Sequence, residues 1–234
     1  MTDCTSGVSG SGVSWGSSWT WAGGENNVKS YPYAGKNFSP RLVSQISSLP
    51  TTFSWSYTGN NIRANVAYDL FTSAVSTAPT SGGDYELMIW MTALGNVFPI
   101  SATGSPVATV TLAGQSWKLY YGLNGSMKVY SFVYANGSLN SFSGDVKAFF
   151  NYLVNSWGFP ASSQYLTSKL FRSKILPNTD FPLQLSKLVQ SLLLVVQLLL
   201  PFRNSALRSI KGVDTGQSWC NIVEARLLDI HKRG

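Results

Sequence analysis

The chain has 234 residues, of which 44% are hydrophobic, 13% aromatic and only 12% charged. That is one domain with a substantial core; charge is too sparse for a coiled coil and apolar content too high for a disordered chain. Two cysteines, Cys4 and Cys220, and one histidine, His231, exclude a disulfide scaffold and a structural zinc site, and leave a Ser-His-Asp triad only if it uses the tail. The net charge of +7 is uneven: residues 1–168 hold seven Lys/Arg and six Asp/Glu (+1), residues 169–234 ten and four (+6). The bulk of the chain is nearly neutral, so nucleic acid is not an expected partner.

Residues 13 to 133 read as strands, short Val, Ile, Tyr, Trp and Phe runs punctuated by Gly, Asn, Ser and Pro. Ser14–Trp21 places Trp15, Trp19 and Trp21 on one face. Asn65–Phe71 places Val66, Tyr68 and Leu70 on one face and Asn65, Ala67 and Asp69 on the other. Tyr85–Trp90 sets Tyr85, Leu87 and Ile89 against Glu86, Met88 and Trp90. Gln115–Tyr121 and Lys128–Tyr134 alternate likewise. Gly144–Val154 instead has Val146, Phe149, Phe150 and Leu153 at helical spacing, which predicts a short helix capped by Ser143 with Asp145 in its first turn. Many strands and one helix predict an all-β jelly-roll sandwich of two antiparallel sheets.

From residue 169 the style changes. Leu183–Phe202 is dominated by Leu and Val, but Lys187, Gln190 and Gln197 interrupt it, so no stretch is long enough to span a membrane. The amino end lacks the basic and apolar regions of a signal peptide. Three glycosylation sequons, at Asn37, Asn124 and Asn136, are weak pointers to secretion.

Glu86 stands out, because strand interiors disfavour Glu. A carboxylate sharing a face with Met88 and Trp90 suits a cleft for something polar with hydrophobic faces, such as a sugar. Asp69, on the polar face of its own strand, could hold Glu86 by a shared proton. The bland alternative is a strand charge that is merely solvated.

The segment Asp84-Tyr85-Glu86-Leu87-Met88-Ile89-Trp90 resembles the nucleophile strand of glycoside hydrolase family 12, the small fungal and bacterial endoglucanases. Further matches are Trp19-Thr20-Trp21-Ala22-Gly23-Gly24, Asn65-Val66-Ala67-Tyr68-Asp69-Leu70-Phe71, Gly114-Gln115-Ser116-Trp117, Tyr130-Ser131-Phe132-Val133 and Gly158-Phe159-Pro160 through Gln164-Tyr165-Leu166. In order, they cover about residues 4 to 168. The resemblance implies a jelly roll with a concave sheet forming an open cleft for β-1,4-glucan. It implies retaining hydrolysis with Glu86 as nucleophile, supported by Asp69, and substrate contacts at Met88, Trp90 and Trp19. It implies a secreted, monomeric enzyme needing no metal or cofactor, with cellulose, mixed-linkage glucan or xyloglucan as substrate. Retention also requires a second carboxyl about 5–5.5 Å from the first.

The family carries that acid/base in a Gly-Thr-Glu-Pro-Phe-Thr-Gly strand soon after Gln-Tyr-Leu, and this chain has no such motif. The resemblance stops after Ser168, and Glu224 is the only later Glu. The genetic code accounts for it. Ser168-Lys169 written AGT AAG contains GTAAG, an intron start; Phe181-Pro182-Leu183-Gln184 written TTT CCC TTG CAG ends like an intron. Excision between them shifts the frame. Lys187 to Val195, when written AAG CTG GTA CAG AGC CTT TTA CTG GTA, then reads Ala-Gly-Thr-Glu-Pro-Phe-Thr-Gly. Residues 169–234 are therefore expected to be an aberrant tail from a retained intron and frameshift, not a domain, and this isoform impaired or only carbohydrate-binding. At the other end, the resemblance implies a preceding Leu-Trp-Gly strand and a cysteine partner for Cys4, neither of which this chain includes.

Overall fold

The structure, a computed structural model, describes residues 2–9, 12–19, 28, 31–36, 38–79, 82–172, 175–176, 190–198 and 207–209. Trp21, Cys220, Glu224 and His231 lie outside the described residues. The strands are β1 (Thr2–Ser9), β2 (Gly12–Trp19), β3 (Tyr33–Lys36), β4 (Arg41–Leu42), β5 (Pro50–Thr58), β6 (Arg63–Ser73), β7 (Tyr85–Leu94), β8 (Ala108–Leu112), β9 (Gln115–Asn124), β10 (Met127–Tyr134) and β11 (Ser141–Asp145). Then come helix α1 (Lys147–Trp157) and strands β12 (Tyr165–Arg172), β13 (Ile175–Leu176), β14 (Gln190–Leu198) and β15 (Leu207–Ser209).

Two sheets form. The smaller runs β1-β2-β14-β5-β11; the larger runs β15-β3-β12-β6-β7-β10-β9-β8, with β13 on β6 and β4 on β12. Among the described strands, pairing is antiparallel with one exception, the parallel pair β7–β10. The β8–β9 hairpin lies between them in sequence and closes onto the far side of β10. Sequence alternation specifies faces but not partners, so this pair was not legible in advance.

The core lies between the sheets. Val66, Tyr68, Leu70, Leu87, Ile89, Trp117, Leu119, Tyr130 and Phe132 from the larger sheet meet Trp15, Phe53, Trp55 and Phe142 from the smaller. Tyr68 sits near its centre, with ring centroids 5.3 Å from Phe53 and 6.0 Å from Phe142. Its hydroxyl is 3.1 Å from the Thr51 hydroxyl. Burial pushes its pKa up, partly countered by that hydrogen bond.

Helix α1 covers the rest of this face. Phe149 packs edge-on against Trp117 and Phe132 at 5.2 and 5.1 Å, and each fully buried aromatic of this kind contributes roughly 1.5–3 kcal/mol. The helix begins later than the spacing predicts, because Ser143 belongs to β11. Asp145, not Ser143, caps it: one carboxylate oxygen accepts from the Lys147 N–H at 2.8 Å and the Leu49 N–H at 2.7 Å. The helix ends at Gly158 (φ 64°), where the Phe159 N–H donates to the Leu153 carbonyl, the left-handed cap that glycine permits.

Residue 168, after which an aberrant tail is expected, lies within β12. β12 runs across it, beside β6 from Tyr165↔Ser73 to Arg172↔Ala67. β14 lies between β2 and β5, so part of the expected tail completes the smaller sheet.

Candidate active site

The outer face of the larger sheet, turned away from the core, carries the site. Register places three cross-strand rows there. The first is Phe71–Glu86–Val129–Gly122, the second Asp69–Met88–Ser131–Tyr120 and the third Ala67–Trp90–Val133–Lys118. Glu86 and Asp69 therefore share a face as expected, and they are diagonal neighbours on adjacent strands, which in a regular ladder puts their Cα atoms about 7–8 Å apart. Asp69 is fully buried and Glu86 is 5% exposed.

Met88 and Trp90 lie where alternation puts them but are not open. Trp90 is 2% exposed, and its indole N–H donates to the Met88 sulfur at 3.4 Å. Ala67 and Val97 complete this cluster, with Val28, Ala93 and Val133 packed against it. Trp90, expected as a substrate contact, lies in this packed layer. Trp19 closes β2, in the opposite sheet; its side chain lies outside the described residues.

The entry to β7 is clamped. Asp84 Oδ2 accepts from the Ala74 N–H at 2.7 Å and the Gln164 side-chain N–H at 2.9 Å. The Gln164 carbonyl oxygen accepts from the Thr72 hydroxyl at 3.0 Å. At Gly83 a Cβ would lie 2.2 Å from the Thr72 carbonyl oxygen, so this approach requires glycine. The clamp fixes the strand immediately before Glu86. Asp84 and Gln164 both fall within the family-like motifs, and only their meeting in space supplies a role for them.

Across β6 from β7, β12 sets Leu170 opposite Asp69 and Arg172 opposite Ala67. No Asp or Glu occurs in its Tyr165–Arg172 sequence.

A jelly-roll sandwich with two carboxylates on the outer face of its larger sheet is an architecture suited to general acid–base and nucleophilic chemistry on a polymer laid across that face. The family model described as glycosyl hydrolase family 12 matches residues 1–180. The chain belongs to that family. It is 50% identical over 168 residues to endoglucanase A of Aspergillus kawachii, a match covering 70% of this chain and 69% of that one. It is 51% identical over 162 residues to the xyloglucan-specific endo-β-1,4-glucanase A of Emericella nidulans, covering 68% and 65%. The chain thus spans about two thirds of the length of these curated relatives. Among solved structures, Trichoderma harzianum endoglucanase 3 superposes with a TM-score of 0.75 at 45% identity, covering 84% of this chain and 81% of that one. The catalytic domain of Humicola grisea Cel12A, in complex with a soaked thio-cellotetraose, gives 0.76 at 38%, covering 84% and 83%.

Proposed function

We propose that the outer face of the larger sheet is a β-1,4-glucan cleft, in which Glu86 is the nucleophile of retaining hydrolysis and Asp69 the group that orients it. The single observation supporting this is the register that sets both carboxylates diagonally on one face, above a packed Met88–Trp90 layer. Glu86 attacks the anomeric carbon as the glycosidic bond breaks; a second carboxyl must protonate the departing oxygen and later activate water.

Among the described residues, β12 carries no Asp or Glu beside Asp69 to serve as that second carboxyl. The strand position beside Asp69 is filled by Lys169, Leu170, Phe171 and Arg172. The spliced reading brings Thr-Glu-Pro-Phe to the continuation of the same strand. On this reading the sequence from residue 169 onward stands in place of the family's acid/base strand. The 234-residue chain binds glucan and hydrolyses natural substrates poorly, whereas the spliced form is a full endoglucanase. Missing general acid–base help lowers turnover by about 10²–10⁴-fold.

Xyloglucan is the alternative substrate, favoured by the names of several relatives. Retention, secretion and a monomeric state belong to the same proposal. The test is to express both forms and assay them side by side on barley β-glucan and xyloglucan. Turnover in the spliced form alone is expected; comparable turnover from both would show that another residue donates the proton.

A further inference from the structure

The segment joining β7 to β8 is a strap laid across the outer face. Gly95 (φ 65°) and Asn96 (φ 59°) reverse the chain at the end of β7, a left-handed pair that glycine and asparagine tolerate. Val97 then folds back onto the Met88–Trp90 cluster and is 5% exposed. Further along, Ile100 and Ser101 lie over Gly122, where a Cβ would meet the Ile100 Cγ2 at 2.8 Å and the Ser101 nitrogen at 3.0 Å. The Ala102 N–H donates to the Tyr121 carbonyl at 2.8 Å and the Val107 N–H to the Leu119 carbonyl at 2.7 Å, stitching the strap to β9. Ser101, Thr103, Gly104 and Ser105 close a hydrogen-bonded turn at its far end.

Phe98 stands on this strap between the Val97 anchor and the Ile100 anchor. It is 71% exposed, and Ile100 is 39% exposed. Gly122 belongs to the same cross-strand row as Glu86, two strands away, which is about 9–10 Å. The strap thus passes from the Trp90 row, where Val97 packs, to the Glu86 row, where Ile100 lies over Gly122, and Phe98 stands exposed between these anchors. Trp90 is buried, whereas Phe98 offers an exposed aromatic face on this strap.

We propose that Phe98 is a sugar-stacking residue of the cleft, covering the apolar face of a glucose unit next to the one held at Glu86. This inference rests on the reading of the outer face as a glucan cleft. A pyranose presents C–H groups on its flat faces, which an exposed aromatic ring carried on a tethered strap is suited to cover. The ring makes no core contribution that would otherwise account for it.

The test is binding of cellohexaose to the full chain and to Phe98→Ala, Phe98→Leu and Phe98→Tyr, measured by calorimetry and paired with urea unfolding. Phe98→Ala and Phe98→Leu should weaken affinity about tenfold or more; Phe98→Tyr should retain it, and no unfolding midpoint should move. Wild-type binding with equal affinity in Phe98→Ala would overturn the stacking role alone. Equal loss in Phe98→Tyr would likewise overturn it, since a flat ring would then not be what matters. Absence of wild-type binding would overturn the cleft reading and this inference with it.

Discussion

Replacing Gln164 by Met keeps the volume of the side chain and deletes both of its hydrogen bonds, so it isolates the clamp at the entry to β7. The bond to Asp84 involves a carboxylate, a class contributing about 1.5–3 kcal/mol; Asp84 is exposed, so water recovers part and the low end applies. The bond from Thr72 is neutral, but Thr72 is 1% exposed, and stranding its hydroxyl costs about 1–3 kcal/mol. The sum is about 3 kcal/mol. With an m-value of about 2 kcal/mol/M in urea, the unfolding midpoint should fall by about 1.5 M. Equilibrium unfolding followed by tryptophan fluorescence measures it. A shift below about 0.25 M, the level of an ordinary surface change, would refute the claim that Gln164 ties β7 to the chain beyond α1.

Tyr68→Phe strands the Thr51 hydroxyl in the core; a loss of about 1–2 kcal/mol, or roughly 3–6 °C in Tm, should appear by calorimetry. Gly122→Ala forces Ile100 and Ser101 off the sheet; stability should fall by about 1–3 kcal/mol, with cellohexaose affinity falling as for Phe98→Ala, and unchanged affinity would detach the strap from the cleft. Burial holds the Lys147 ammonium below its ordinary pKa, with Asp145 opposing. The unfolded chain therefore binds more protons between the folded and unfolded values, and stability rises with pH through that window. Lys147→Met should raise stability at neutral pH and flatten that rise, and urea titrations from pH 7 to 10.5 test both.

How much of this was legible depends on which residues alternate. Strands β6, β7, β9 and β10 could be read because their core positions, such as Tyr68 and Ile89, repeat at every second residue. The same alternation placed Asp69 and Glu86 on one face. It could not show that Trp90 is covered, because Val97 returns over it from beyond a turn. Nor could it separate Ser143 from the helix, since Ser143 in β11 stands just ahead of the residues at helical spacing. Phe98 went unread because an isolated Phe in a Pro- and Ser-containing loop has no period; a Gly-Asn reversal followed by apolar residues is the signal that could have found it. The fate of residues 190–198 was open too, because a Leu/Val run suits a helix or a buried strand equally.

In the proposed mechanism Glu86 is a competent nucleophile and the acid/base partner is missing. An activated glycoside such as 2,4-dinitrophenyl β-cellobioside bypasses protonation of the leaving group, so its first step needs Glu86 alone. Mixing it with the 234-residue chain should give one fast equivalent of dinitrophenolate, then slow turnover, with a cellobiosyl adduct on Glu86 by mass spectrometry and no burst in Glu86→Gln. A burst that survives Glu86→Gln, or a wild-type chain with neither burst nor adduct, would contradict the account.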